Sequence, residues 1–563
     1  MPPPRASSAE PKQISAQNPQ QIADALESFL AEHPRAVVTE DGKVLFDMRA
    51  AKYQLATEHG RCTLQMWSDE RNIVRRVSAT VERGGARDRT LRLTVHRFGQ
   101  GKPSSLELLS DPDRRTPTTR EATRNRYLRS LERMMQRSFG DWKPEGFRTA
   151  MDLERSFGPA YARGSLVRGQ HAWAVIAVNA AETQATVDGI LTLGVLWLAY
   201  CREHAGGRRL YRGLRMIVPR GMATLTASRL AWMNSDAAQW ELWEFDERTE
   251  EMEQRDAADH GNLTTRLIHA PNESTARERF AESAAKVMAL VPEAMRTVVE
   301  QRVRSGSEMA FLLHGLEFAR ARIGYAGESF NRMQEITFGA GANETPLTHE
   351  NAGELRALVA RLFARRTAAR DDGTQPDARD PLYRMQPERW LESVLRRDVT
   401  AIDAHLDPAH VYTQVPAFAA SDRGMLDLLS VHKDGRLAVI ELKADDDLHL
   451  ALQGLDYWVR VRSHHQQNPD PKSGLGEFQR YGYFGGVRLA EGAPRLYLVA
   501  PALRIHPATE VVLRHLSPRV EWALVALNES WRQQVKVVWR KRSGSSGMPE
   551  TYRRTIQSEG GNV

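Results

Sequence analysis

Two apolar runs, Met425-Leu-Asp427-Leu-Leu-Ser-Val431 and Leu437-Ala-Val-Ile-Glu441-Leu-Lys443, flank the short segment Lys433-Asp434-Gly435. Runs of this kind on either side of a glycine-containing loop predict a β-hairpin, with Gly supplying the left-handed residue of the turn. Asp427 and Glu441 lie equally far from Asp434, so a hairpin folded about that residue sets the two carboxylates opposite one another. Directly opposed side chains sit roughly 5 Å apart at Cβ. Lys443, two residues beyond Glu441, projects from the same face. Two acids this close repel unless a cation lies between them, and an all-oxygen ligand set suits Mg²⁺ or Mn²⁺. The pattern predicts a metal-dependent centre for phosphodiester cleavage.

With 563 residues the chain is too long for one core and is expected to hold roughly three or four domains. The two cysteines, Cys62 and Cys201, are far apart and in no metal-ligand spacing, which fits a reducing compartment. The longest apolar stretch, from Ile190 to Cys201, is too short to span a bilayer, and the N-terminus lacks a signal-peptide core. A cytoplasmic chain with no membrane partner is expected.

The basic charge is concentrated. Between Arg61 and Gly140 there are 17 Arg and one Lys against nine acids, a surplus of nine, while the whole chain carries only +7. A block of this kind favours a polyanionic partner bound through its phosphates.

Residues 1–20 are rich in Pro, Ser, Gln and Ala and are expected to be disordered. Residues 21–105 read as a short helix followed by consecutive strands, with Arg89, Arg92 and Arg97 giving the small β domain a basic face. A helical connector is expected over 106–149. Residues 150–270 run strand, helix, strand, helix, strand, centred on Ala172-Trp-Ala-Val-Ile-Ala-Val-Asn179. Residues 271–365 read as helical, 366–380 as a polar linker, and 543–563 as a flexible tail. Residues 381–542 repeat the strand–helix–strand–helix–strand order, which predicts an internal duplication. Aligning the shared Ala-Val-Ile places Ala177 at Glu441, Asn179 at Lys443 and Arg163 at Asp427, so the first copy would lack the acids.

After the Glu441 strand comes a helix carrying Gln453 and Tyr457, four residues apart and on one face. Leu448, Leu452, Leu455 and Val459 form its buried stripe. Upstream, Pro387-Glu388-Arg-Trp-Leu-Glu392 opens a further helix with two acids; Glu388 is the first choice for a site carboxylate and Glu392 the alternative, with Trp390 a packing residue.

With these elements, residues 381–540 resemble the PD-(D/E)XK nuclease superfamily, in the branch where a Gln-x-x-x-Tyr helix follows the Glu-x-Lys strand, as in RecB-like nucleases. Taken with the length, the segment patterns and the repeated order, the chain is expected to be α/β and multidomain. Its C-terminal part would be a restriction-endonuclease-like mixed sheet flanked by helices, with a degenerate copy in the middle and a β-rich domain in front. The resemblance implies that Asp427, Glu441 and the Leu442 carbonyl hold Mg²⁺ or Mn²⁺. Lys443 would orient water or neutralise charge, and would need a depressed pKa to act as a base. Gln453 and Tyr457 would position the phosphate backbone, with Glu388 completing the site. The proline usual before the first acid is absent, and Asp445-Asp446-Asp447 follows the site, either as a cap at the helix start or as a charge that weakens DNA binding.

A nuclease acting on DNA, with RNA also possible, is therefore expected; the rival is a catalytically inactive nucleic-acid-binding scaffold of the same fold. His464-His465 reads as a solvated pair, and Gly339-Ala-Gly341 as a turn.

Overall fold

The computed structural model describes residues 18–544 apart from 35, 41–42, 49–50, 59–60, 69–70, 84–89, 97–102, 111–114, 150–155, 181, 248, 257–265, 326–331, 342–344, 368–376, 378, 420–421 and 467–469. The expected disordered N-terminus and C-terminal tail therefore fall almost wholly outside the described residues. Two compact units meet at Asn125/Arg126.

In the first unit, the Asn18 side chain accepts the Gln20 amide and starts the helix Pro19–Glu32. Its apolar stripe of Ile22, Leu26, Phe29 and Leu30 packs in one core with Cys62, Leu64, Met66, Leu91, Leu93 and Val95. These belong to a seven-stranded antiparallel sheet in which the first strand, Val37–Glu40, pairs with the last, Ser104–Leu109. Alternation leaves Arg61, Arg76 and His96 on the opposite face, with Arg76 directly across from His96. Of the expected basic residues, Arg92 is exposed and paired with Glu107 at 3.4 Å, while Arg89 and Arg97 lie outside the described residues. The connector expected over 106–149 is not helical throughout. Residues 104–109 complete this sheet, Arg115–Ser138 is a helix, and Lys143–Arg148 is the edge strand of the next sheet.

The second unit is α/β, built on two mixed sheets with the same wiring. In the middle sheet, Lys143–Arg148, Tyr161–Arg168 and His171–Val178 run antiparallel in turn. Leu210–Pro219 and Gln239–Asp246 then add in parallel, and Glu251–Arg255 closes antiparallel. The C-terminal sheet repeats each step with Tyr412–Ala419, Asp422–Val431, Leu437–Leu442, Arg495–Pro501, Trp522–Leu527 and Val537–Arg542. An extra edge strand comes from Arg266–Leu267, so the middle segment ends by joining the other sheet. Crossover helices Ile190–Glu203 and Thr224–Leu230 serve the first sheet, and Leu450–His465 and Pro507–Arg514 serve the second. All four lie in one shared apolar core between the sheets. The outer faces are covered by Arg115–Ser138 and by Pro387–Arg397 respectively.

The helical reading of 271–365 fails over its centre. After Glu273–Arg279 and Ala281–Leu290 the chain forms a five-stranded antiparallel sheet from Val299–Ser305 to Thr345–Pro346, and only then the helix Ala352–Arg365. Met309, Phe311 and Leu313 alternate into its core, a period of two that overrides the helix-compatible composition. A two-residue turn at His314 (φ 47°) and Gly315 (φ 75°) joins its second and third strands, the backbone of a type I′ hairpin. The tip abuts the Pro387–Arg397 helix, where a Cβ on Gly315 would lie 1.9 Å from the Arg389 carbonyl oxygen. The start of the expected linker is anchored rather than loose. Buried Arg366 donates to the carbonyls of His314 and Leu382, and its guanidinium lies 4.6 Å from the Trp390 ring.

Candidate active site

The C-terminal hairpin has the register expected from the sequence. Its pairs run from Val431 with Leu437 to Leu428 with Ile440, and the ladder stops one step short of Asp427 and Glu441. Leu429, Val431, Leu437 and Val439 enter the core between the sheets, so by alternation Glu441 and Lys443 share that face. Leu426 enters the same core, so the alternation breaks at Asp427, which feels Lys443 and also Glu392 and Arg389 of the helix on the other face. The strand is apolar on both sides because helices cover both sides, which makes the two carboxylates costly to bury there.

Each acid is fixed differently. Asp427 Oδ2 accepts the Leu442 backbone N–H at 2.9 Å. Glu441 is 4% exposed and lies 3.3 Å from Lys443 Nζ through Oε1, while its Oε2 is buried with no donor among the described residues. Lys443 follows the strand end, its amide donating to the Val499 carbonyl, and reaches Asp447 at 3.7 Å and Glu388 at 3.8 Å. Glu388 comes from the helix on the opposite face of the sheet and meets Lys443 around the strand's end.

Burial, reinforced by the charge of Asp427 and relieved by Lys443, pushes the Glu441 carboxyl well above the ordinary range. Burial also raises Asp427, against the lowering effect of the Leu442 amide. Glu388 is pushed up to about 7, by desolvation and then by Asp427, Asp447 and Asp445. Its side chain is still 44% exposed, so water weakens the desolvation part and the neighbouring acids are the more durable cause. Lys443 is held upward: desolvation would lower it, but Glu441, Glu388, Asp447 and Asp427 outweigh that loss. A depressed lysine suited to general-base work is not what this surrounding produces.

The Gln453 helix closes over the acids because of one glycine. A Cβ on Gly454 would lie 2.4 Å from Leu498 Cδ2, 3.2 Å from Leu496 Cδ1 and 3.6 Å from Glu441 Cβ. Gln453, next to Gly454 on this helix, has its Oε1 buried and without a donor among the described residues. Tyr457 is raised by burial and by the charges of Glu441 and Asp427, so it stays a protonated phenol able to donate. Among the described residues no three His, Cys, Asp or Glu side chains form a ready-made metal cage. The donor set nevertheless suits a hard cation: two raised carboxylates lie close enough for the charge of one to raise the other, and one carboxylate oxygen has no donor among the described residues. Asp447 accepts the His449 amide at 2.7 Å, tying the acidic run to the helix start, and it also faces Lys443.

Neither a family model nor a curated protein matches the chain.

Glu392 has a different place from Glu388. It is 2% exposed, paired with Arg302 at 2.7 Å and Arg389 at 2.8 Å, and accepts from Gln414 Nε2 at 2.7 Å. It locks the helix to the five-stranded sheet. The expected solvated histidine pair is not solvated: His464 is buried against Glu477 at 2.8 Å, and His465 meets the Ala490 carbonyl at 2.8 Å. Gly454 and Arg302 were missed by sequence reasoning. A glycine inside a helix is the signal that could have found Gly454.

The middle sheet shows what stands at the equivalent positions. Leu214 pairs with Trp240 as Leu496 pairs with Trp522, and on this match Ile176, beside Met216, takes the place of Glu441 beside Leu498. The alignment on Ala-Val-Ile was one residue out, because it placed a residue of one face on a residue of the other. Ile176 and Val178, rather than Ala177 and Asn179, replace Glu441 and Lys443. Arg163 pairs with Ile176, the place that Asp427 would take if the C-terminal hairpin's register ran one step further. The helix Ile190–Glu203 carries Gly194 where the other carries Gly454, in the same close approach, 2.7 Å to Leu214 Cδ2 and 3.1 Å to Ile176 Cγ2. Leu193 and Trp197 then stand at Gln453 and Tyr457. The Arg163 guanidinium is buried over Phe157 at 4.6 Å and 5.9 Å from the Trp197 ring.

Proposed function

We propose that the chain is a metal-dependent nuclease of the PD-(D/E)XK type acting on nucleic acid, with DNA the favoured substrate. The observation that carries this reading is the neighbouring pair of half-buried Asp427 and buried Glu441, both with raised pKa values, beside a charged Lys443. Folding them together costs stability that a divalent cation would recover. Asp427, Glu441 and the Leu442 carbonyl would hold Mg²⁺ or Mn²⁺, which when bound supplies charge to polarise a phosphate and acidify an attacking water. Lys443, kept protonated by its acids, orients that water and offsets the charge developing on phosphate oxygen. Gln453 and the Tyr457 hydroxyl position the phosphate, and Glu388 holds Lys443 from the far side.

The Arg61, Arg76 and His96 row on the N-terminal sheet supports a polyanionic partner. Arg61 is lowered by burial and Arg76 by burial and then Arg61, two cations close on one surface; Arg76 also helps keep neighbouring His96 neutral, after burial. The identical wiring of the two sheets and the matched Gly194 and Gly454 support an internal duplication in which the middle copy has lost its chemistry.

The second reading, an inactive nucleic-acid scaffold, is favoured by Lys443 already lying among the acids and by the Asp445–Asp447 run. A panel of single-stranded, duplex and flapped DNA and of RNA, each with Mg²⁺, Mn²⁺ or chelator, separates the two. Cleavage only with a divalent ion supports the nuclease, whereas binding without cleavage of any member supports the scaffold.

A further inference from the structure

The two sheets meet as the halves of a two-fold dimer would. The helix Ile190–Glu203 of the first packs on Pro507–Arg514 of the second, and Leu450–His465 of the second packs on Thr224–Leu230 of the first. Each is a first-crossover helix against a second-crossover helix, and the contact is reciprocal. At the centre, Met233 and Leu516 form an antiparallel bridge. Both lie in the link from the second crossover helix to the third parallel strand of their own sheets. Asn234 N donates to His515 O at 2.8 Å and Ser517 N to Trp232 O at 2.7 Å, a pair of bonds that a two-fold axis exchanges. Reciprocity between equivalent surfaces is the signature of an isologous interface. The face is sealed by specific contacts: Trp232 meets Trp458 edge to face at 4.8 Å, and buried Arg229 forks onto Asp456 at 2.8 and 2.7 Å.

A homodimer of such sheets would present two hydrolytic centres, one for each strand of a duplex. Here one of the two is filled. Arg163 stands where Asp427 would stand in the other half were its register run one step further, Ile176 and Val178 replace Glu441 and Lys443, and Leu193 and Trp197 replace Gln453 and Tyr457. A buried guanidinium at that position repels a divalent cation, so the lost centre cannot be restored by metal. The dimerising face is also consumed within the chain, leaving no equivalent face for a second copy.

We propose that the chain is a fused dimer with a single working centre, and that it cuts one strand of a duplex per encounter. This inference rests on the nuclease reading above. Its test uses the full-length protein and supercoiled plasmid with Mn²⁺ or Mg²⁺, at enzyme concentrations varied below and above that of the plasmid. The expected result is nicked circles as the first product at a rate linear in enzyme, with linear DNA appearing only after nicks accumulate. Linear DNA formed from the outset without a nicked intermediate, or at a rate rising with the square of enzyme concentration, overturns the inference while leaving the nuclease reading intact. Cleavage of other nucleic acid but not of the plasmid does the same. Failure to cut any nucleic acid overturns both.

Discussion

Asp427 Oδ2 accepts the backbone N–H of Leu442 at 2.9 Å, so the first acid of the hairpin is held by the residue between the second acid and the lysine. The bond uses one oxygen of Asp427 and leaves the other for a ligand. It also ties the spacing of the two acids to the backbone of one strand, which a loop could not do as rigidly.

The acid pair should make stability depend on pH and metal together. Asp427, Glu441 and Glu388 have folded pKa values above their unfolded ones. Their effect on stability is therefore neutral below the unfolded value, near 4, and increasingly unfavourable as pH rises toward the folded value, about 7 for Glu388. Lys443, raised from 10.5, adds a stabilising term that is constant below pH 10.5 and does not alter this slope. Thermal melts should show a Mn²⁺-induced increase in Tm that grows from pH 5 to pH 8, and Glu441→Gln should raise Tm in chelator at pH 8 while abolishing the increase. An increase independent of pH would contradict the assignment.

Glu388 and Glu392 should separate cleanly. Glu392→Gln breaks a buried ion network and is expected to cost ~3–5 kcal/mol of stability by denaturant titration, with cleavage per folded molecule little changed. Glu388→Gln should not lower the melt, and at pH 8 should raise it, because it removes a carboxylate whose charge folding disfavours. It should instead lower cleavage about 10–100-fold, the usual effect of losing a group that orients the reacting ones.

The paired glycines provide an internal control. Gly454→Ala and Gly194→Ala both overpack a helix against two strands and should each cost ~1–3 kcal/mol. Only Gly454→Ala lifts Gln453 and Tyr457 from the acids, so only that variant should lose cleavage per folded molecule. Equal loss in both would mean that helix placement does not govern the site.

On the N-terminal sheet, Arg61→Ala with Arg76→Ala should weaken DNA binding at every sequence alike. The slope of log affinity against log salt should shrink by about 1 to 2, one counterion per lost phosphate contact. An unchanged slope would remove this face from the interface.

The hairpin was legible because its signals are local: apolar runs, a Gly turn, and two acids placed symmetrically about Asp434. The Gln453 and Tyr457 helix was legible for the same reason. The choice between Glu388 and Glu392 was not, because it depends on Arg302, a residue of the five-stranded sheet far away in sequence. That sheet was misread because Glu and Arg between its apolar positions suit a solvated helix as well as an antiparallel strand. In the middle sheet, a one-residue error in alignment exchanged the two faces of a strand and hid Ile176 and Val178 behind Ala177 and Asn179. Register is set by pairing partners, which local likeness does not report.

The most direct measurement is cleavage of one nucleic-acid substrate by wild type, Asp427→Ala and Lys443→Ala side by side, with binding of the same substrate followed in parallel. Wild type should cut with Mg²⁺ or Mn²⁺ and not in chelator. Both variants should bind within a few-fold of wild type and cut at least on the order of 10²-fold more slowly. Undiminished cleavage by either variant, or binding by wild type with no cleavage under any metal, would contradict a hydrolytic centre at this hairpin.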